Sequence, residues 1–503
     1  MTDDLDFISN LSHDEKLLED FRLDCISPND GKYRKDSDPL RPYISARADW
    51  MGCAQVLYVM LKKGVEFDRG TEENVKEMDY AMTKIDPVNM DFLEKKVTHH
   101  DMLAVIEEIG RYVSSGTKAL LHPGTTSYDL IDTSRSYNYK KAWKEVIRPK
   151  VIEVKDKLCD LGELYVDVLR VGRTHLKNTS PVSFGGEIIK YARRIAEGVE
   201  ESDKQFSKLK GKISGIVGTG AGIDMNFPGR AEEFEALVLK EFDLEPDTTA
   251  TQIVQKDSLI RACNSLIDLD APLVDCAEDT RLSYSSAIQE VTSRDSARRL
   301  GGSSTDAGKD NPILYEHIIG KYSTIKSASS VIRDLAISNF ERDLKGSVQA
   351  RYQPPNMFAE VYQSFCKASK AFNVLSVNVD KMKENLQPVR DFPTEAMTTI
   401  LKGKVFIHPE YGLAHDFVKK MMIGCNERNR EIVKSNKEFE KNNKPEKNKV
   451  KLLEFCLEDK YFQEAYNELP DVHKRILNGE LEEYLGFARK RASDNIEYAR
   501  KVI

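Results

Sequence analysis

The sequence has no CxxC pair. Its eight cysteines stand at 25, 53, 159, 263, 276, 366, 425 and 456, too scattered for a disulfide frame or a zinc site, and they read as reduced interior thiols. Nowhere do about 18 apolar residues run together, so no membrane span is expected. An excess of basic residues is also missing. Lys and Arg number 75 against 82 Asp and Glu, a net charge of −7. That balance gives no support to sequence-independent nucleic-acid binding, although a local basic pocket stays open. The first residues, MTDDLDFISN, are acidic and show no basic-then-apolar leader, so a cytoplasmic chain is the expectation. The glycine-rich stretch 215–222 is not GxGxxG following a strand, so a dinucleotide-binding fold is not indicated. There is no internal repeat and no low-complexity tract.

What is present is helical periodicity. At 503 residues the chain has room for about three domains, or for one long helical core with smaller ends. Apolar positions fall at helical spacing over 49–63 and 102–113. Ile147, Val151, Val154, Leu158, Leu161, Tyr165 and Val168 alternate steps of four and three, the 3.5-residue repeat of a long helix in a bundle. That run ends at a polar break, 172–181. Further helices are expected over 186–209, with Ile188, Ile195 and Val199 inward, over 255–286 with a kink at Pro272, and over 313–339. Residues 39–45 read as extended, because proline disfavours helix in the residue before it. Beyond Val377 the helices shorten, and 426–451 is charged, a solvated helix face and loop or a partner-binding arm. The resulting expectation is an all-α chain. An N-terminal helical domain would cover 1–122, a central long-helix bundle with a signature loop 123–376, and a C-terminal helical domain 377–503.

Polar clusters sit at the ends of the long helices, and antiparallel helices bring such ends together. Thr98, His99, His100 and Asp101 precede one helix. Adjacent histidines on a helix do not share a face, so at most one addresses a site and a metal pair is not expected. The stretch 122–133, HPGTTSYDLIDT, places a Pro-Gly turn and then hydroxyls where a helix begins. Such an end binds a carboxylate, and an ordinary N-cap explains the same residues. Arg41 and Tyr43 offer an anion contact or plain surface decoration. The stretch 301–312, GGSSTDAGKDNP, joins glycines, two serines, a lysine and an asparagine in one loop. It reads as a polar surface connection or as a loop closing over an anionic ligand. Residues 340–351 add a basic cluster.

Three of these stretches together, TSYDLIDT, GRTHLKNTSPVSFG and GGSSTDAGKDNP, resemble the signature regions of the fumarase/aspartase superfamily, whose third region reads GSSxMPxKxNP. Gly302, Ser303, Ser304, Lys309, Asn311 and Pro312 fit it, while Asp306 and Ala307 replace Met and Pro. Within the superfamily the chain is most similar to the adenylosuccinate lyase family. His100-Asp101 resembles its RHD segment, with His99 in place of Arg. TQIVQKD, with Thr251-Gln252, resembles its TQTLQRD segment, and EDTRL at 278–282 its TDIRLL. FERDLKGSVQAR at 340–351 resembles its FERTLxxSxxxR element. The resemblance implies a fumarase/aspartase-like fold of three helical domains, a homotetramer core built from the long bundles, and active sites shared between subunits.

It also implies a reaction, the release of fumarate from an N-succinyl purine nucleotide in purine biosynthesis: adenylosuccinate to AMP, and SAICAR to AICAR. By that resemblance Ser303 is the base, His175 the general acid, His100 a residue that orients it or binds the ligand, and Lys309 the cation that stabilises charge with Asn311. Thr126 and Ser127 would hold a succinyl carboxylate. Arg342, Ser347, Arg351 and Gln252 would hold the nucleotide, with Arg41, Tyr43, Asp101, Thr174 and Ser304 also in contact with substrate. Arginine suits phosphate through its forked donors. No metal, organic cofactor, nucleic acid or membrane enters this scheme. Lys177 stands where the family has Gln, and Tyr315 where it has Ser. One alternative is a lyase of the same superfamily with another succinyl substrate, against which Arg342 and Arg351 argue. The other is a binding or scaffold homologue that has lost catalysis, against which the joint presence of Ser303, Lys309, Asn311 and His175 argues.

Overall fold

The computed structural model describes residues 21–294, 305, 306, 309–440 and 447–503. Where residues 39–45 were expected to be extended, the backbone is helical. A 3-10 turn, Asp38–Leu40, runs into a helical turn, Arg41–Ile44. Pro39 and Pro42 each occupy a first turn, where the missing N–H has no acceptor to lose. Ser45 then caps helix α1 (Ala46–Val65), its hydroxyl accepting the Ala48 N–H at 3.2 Å. Helix α2 (Asp101–Gly110) begins directly after His100, and α3 (Ser127–Lys141) directly after Thr126.

The heptad run becomes helix α4 (Arg148–Leu164). Ile147, Val151, Val154 and Leu158 are almost wholly buried, and each such side chain withdrawn from water contributes about 1.5–3 kcal/mol. The polar break after it is not a loop. Strands β1 (Leu169–Thr174) and β2 (Lys177–Ser183) pair antiparallel. Their turn residues His175 and Leu176 have φ of 53° and 59°, the left-handed pair that a tight hairpin demands. Helix α5 (Phe184–Phe206) follows, with Ile188, Ile195 and Val199 inward as expected. It meets α4 at bare backbone, since a Cβ on Gly185 would lie 2.1 Å from the Gly162 carbonyl oxygen.

Helix α6 (Asp257–Tyr284) is continuous through Pro272. Strand β3 (Val291–Ser293) leads toward the glycine-serine stretch. Helix α7 (Ile313–Asp334) leaves it, and α8 (Lys345–Val374) returns to β4 (Leu375–Val377), which pairs antiparallel with β3. Helices α4, α5, α6, α7 and α8 pack side by side as the central bundle. Helix α9 (Val379–Asp391) lies against β1 and β2. Beyond it a second apolar core forms around Met397, Leu401, Phe417 and Phe462, and Val171 of the hairpin joins it. Helix α10 (Ala414–Glu440) carries the first part of the charged stretch. The last helix, α11 (Ala488–Lys501), returns to the bundle. The buried Lys155 ammonium on α4 donates to the carbonyl oxygens of Ala499 at 2.6 Å and Val502 at 2.5 Å, capping its C-terminal end.

All eight cysteines are free thiols and seven are buried. Among the described residues no helix is long and apolar enough to cross a membrane. Nor does any group of three His, Cys, Asp or Glu side chains there form a metal site.

Candidate active site

The start of α3 is a two-faced turn. Its inner face holds the turn in place. Asp129 is fully buried and its carboxylate pairs with the equally buried Lys212 ammonium. It also accepts N–H groups from Thr126 at 2.6 Å, Ser214 at 3.0 Å and Gly215 at 3.2 Å. One turn on, Asp132 accepts the Val254 N–H at 2.9 Å and pairs with Lys256 at 2.7 Å. Thr133 exchanges hydrogen bonds with the Lys212 backbone at 3.0 and 3.1 Å. These partners draw two remote segments, 212–215 and 252–256, against one helix start. Gly124 completes the joint. It has φ of 67°, and a Cβ there would lie 2.1 Å from the Gly222 carbonyl oxygen, so only glycine fits.

The outer face carries Ser127 and Tyr128. Ser127 Oγ lies 3.5 Å from His100 Nε2, whose other ring nitrogen lies 3.3 Å from Asp101. Of the two adjacent histidines only His100 takes this position. Burial pushes the His122 imidazole below its ordinary range, against the opposing pull of Asp129. It sits just before the Pro-Gly turn, with Nε2 buried and unpartnered among the described residues.

Tyr128 connects this turn to the basic element. Phe340, at φ 50°, turns the chain, and the Arg342 guanidinium stacks 3.7 Å over the Tyr128 ring. Arg342 donates to Gln252 Oε1 at 3.0 Å, and the Tyr128 hydroxyl bonds Ser347 Oγ at 2.9 Å. The Gln252 N–H and the Thr251 hydroxyl both donate to the Glu341 carbonyl, at 3.2 and 2.6 Å. Ser347 lies in the first turn of α8, whose Lys345 N–H is capped by the Asp343 carboxylate at 2.8 Å. Gln252, Arg342 and Ser347 thus meet in one cluster. Arg351, one turn further, is exposed and lines an adjoining cavity of about 310 Å³ with Asp101, Asp49 and Arg135. The Asp49 carboxylate bridges both forks of Arg135 at 2.6 and 3.0 Å on its wall.

Other candidates stand elsewhere. Arg41 is held by Asp38 at 2.6 Å and Asp30 at 3.1 Å. Tyr43 donates to Glu145 at 2.6 Å, which pushes its phenol up to about 12. The chain's own carboxylates occupy both. Thr174 and His175 are exposed at the tip of the β1–β2 arm. Lys309 is exposed, its N–H donating to the Asp306 carbonyl at 3.2 Å. Its neighbour Asp310 accepts the Tyr284 hydroxyl; burial, and then this carboxylate, push the Tyr284 phenol up. The Asn311 carbonyl accepts the Ile313 N–H at 2.8 Å at the start of α7. Ser303, Ser304 and Ala307 lie outside the described residues. Sequence reasoning had passed over Tyr128, Asp129, Asp132, Lys212 and Lys256. The available signal was the pair of carboxylates three apart in TSYDLIDT, on a helix that must bury that face.

The chain matches the lyase family over residues 55–326 and belongs to it. It is a lyase, and its mostly helical fold is shared with a solved fumarate lyase. Among curated relatives it is similar to the adenylosuccinate lyase of Archaeoglobus fulgidus, 25% identical over 453 residues, covering 89% of this chain and 92% of that one. It is also similar to the adenylosuccinate lyase of Thermotoga maritima, 27% identical over 307 residues, 60% and 68% of the two chains. Among solved structures, fumarate lyase from Mesorhizobium sp. BNC1 superposes with a TM-score of 0.73 at 20% identity, over 92% of this chain and 98% of that one. The 3-carboxy-cis,cis-muconate lactonizing enzyme from Pseudomonas putida gives 0.72 at 18%, over 92% and 97%.

Proposed function

We propose that the chain releases fumarate from N-succinyl purine nucleotides by β-elimination, converting adenylosuccinate to AMP and SAICAR to AICAR in purine biosynthesis. The observation that carries this reading is the Arg342–Gln252–Tyr128–Ser347 cluster at the start of α8. It combines a guanidinium, an amide and two hydroxyls, the polar set that a phosphate and its attached sugar call for. A lyase acting on a small dicarboxylate has no use for it. The likeness to adenylosuccinate lyases supports the same reading.

The elimination needs three things. A base removes a weakly acidic C–H next to a carboxylate, donors stabilise the charge that builds there, and an acid protonates the departing nitrogen. Ser303 is the proposed base, made acidic enough by Lys309 and loop N–H groups in a closed, water-poor site. Lys309 and Asn311 stabilise the developing dianion. His175 is the acid, His100 orients the ligand, and Thr126 and Ser127 hold a succinyl carboxylate at the start of α3. The reaction calls on no cofactor. Arg351 and Asp101 extend the substrate contacts along the adjoining cavity; Thr174 and Ser304 complete them.

We further propose a homotetramer of chains divided at 1–122, 123–376 and 377–503, working in the cytoplasm with sites shared between copies. Exposed apolar side chains beside the site segments support this. Leu176 is 70% exposed at the hairpin tip, Met225 83% beyond the glycine turn, and Phe340 95% beside Arg342. Each needs a cover that a second copy supplies. Fumarate formation followed by ultraviolet absorbance, with adenylosuccinate and then other succinyl adducts, tests the substrate. Turnover of another adduct but not of adenylosuccinate would refute the nucleotide reading.

A further inference from the structure

One buried carboxylate outside the cluster above joins three segments that the chain otherwise keeps apart. Glu290 is fully buried. Its oxygens take both forks of Arg173, at 2.6 and 3.0 Å, and one also accepts the Asn385 side-chain N–H at 3.0 Å. Arg170, on the same strand as Arg173, lies 3.7 Å away. Arg173 directly precedes Thr174 and His175 at the tip of the β1–β2 arm. Glu290 directly precedes β3, the strand that leads into the glycine-serine stretch. Asn385 belongs to α9, and its side chain also donates to the Ile288 carbonyl at 2.9 Å. The Glu290 carbonyl in turn accepts the Asn378 N–H at 2.9 Å, next to β4, the partner strand of β3. The backbone and side chain of one residue therefore fix the arm, the root of the signature stretch and α9 against one another.

A buried charge is retained at a cost in desolvation, and a well-packed apolar contact would hold two segments together as firmly. What a bidentate pair adds is geometry: a planar fork on a planar carboxylate sets direction as well as distance. The arm has only a two-stranded ladder of its own, and Arg173 stands one residue short of its turn, so this contact sets where the tip lies. We propose that Glu290 is a positioning residue, holding the His175 arm and the root of the Ser303 stretch at a fixed relative angle through Arg173 and Asn385. This rests on the functional reading given above, in which His175 and Ser303 perform the chemistry. If each active site draws its arm and its loop from different copies, one carboxylate sets the geometry of two sites at once.

The test uses the full chain carrying Glu290→Gln. That change keeps the shape of the side chain and removes the charge that orients Arg173. With adenylosuccinate, kcat should fall about 10²-fold, the effect of misplacing a reacting group by about 1 Å. KM should stay within about twofold, because Arg342, Gln252 and Ser347 are untouched. The double variant Glu290→Gln/Arg173→Met removes both charges of the pair, while Arg170 keeps Glu187 at 3.9 Å; it should recover thermal stability and keep the low kcat. Recovery of kcat along with stability would reduce Glu290 to a structural role and overturn the proposal. Hydrogen exchange gives a readout independent of substrate. In Glu290→Gln, peptides covering 169–183 and 375–385 should lose protection together, and loosening confined to 288–293 would overturn the proposal. Should Glu290→Gln fail to fold, Asn385→Ala removes one tether and leaves the ion pair. It should loosen the same two peptides and lower kcat several-fold with KM unchanged, and unchanged exchange would refute the coupling. A wild-type chain inactive on adenylosuccinate would count against the substrate reading alone, and the exchange result would still decide on Glu290.

Discussion

The Arg342 cluster and the hairpin tip are built on opposite terms. Tyr128, Gln252, Arg342 and Ser347 come from three separate stretches of one chain, and each already touches another member of the set. Thr174 and His175 stand exposed at the end of a two-stranded arm. Behind the first lies the buried Asp129–Lys212 pair, and beside the turn of the second the Glu290–Arg173 pair. The difference teaches where assembly has been completed. One chain preforms the part proposed to grip a ligand; it holds out, on an arm fixed beside its turn, the part proposed to do chemistry elsewhere.

The comparison can be broken at either end. His175→Ala should cost the most, lowering kcat about 10²- to 10⁴-fold, the usual worth of a general acid. Because the side chain is exposed, the chain's stability should move by no more than about 0.5 kcal/mol. Steady-state kinetics beside a denaturant melt checks both halves, and an intact kcat would remove the histidine from the chemistry. Asp129→Ala should act in the reverse sense. It strands a buried ammonium, a loss of about 3–5 kcal/mol, visible as a lower urea midpoint. If the midpoint holds, the pair does not anchor the turn. Arg342→Ala should weaken AMP binding by about 1.5–3 kcal/mol, the range for a hydrogen bond to a charged group. Arg351→Ala should cost a similar amount if the adjoining cavity belongs to the same ligand. Calorimetric titration reads both, and unchanged affinity in Arg342→Ala would count heavily against a nucleotide. Asp306→Met should have the smallest effect. Removing a carboxylate three residues from the proposed base should ease its ionisation and move the pH optimum down by up to about one unit. A fall in rate would mean that Asp306 takes part in the reaction.

The long helices were legible because burying one face of a helix imposes a spacing that survives in any single stretch, as Ile147, Val151, Val154 and Leu158 show. The hairpin was not. Its strands lack alternation, and Gly172 and Pro181 read as breakers until the partner strand is known. The turn at 38–44 failed for a related reason: proline's preference against helix was applied to the residue before it, whereas Pro39 and Pro42 serve as first-turn residues. Of the proposed site, the residues assigned to a ligand were visible as motifs. The charge pairs that hold them were not, since Asp129 meets Lys212 from 83 residues away and Arg173 meets Glu290 from 117. Such pairs follow from topology, and no local pattern announces them.

The central claim, that binding groups are assembled within a chain and catalytic groups between chains, is tested most directly by complementation. His175→Ala and Ser303→Ala, each inactive alone, are mixed under conditions of subunit exchange, with exchange confirmed by mass spectrometry. The account predicts that part of the fumarate-releasing activity returns, because some mixed assemblies then contain a site with both native residues. No recovery, with exchange demonstrated, would contradict it.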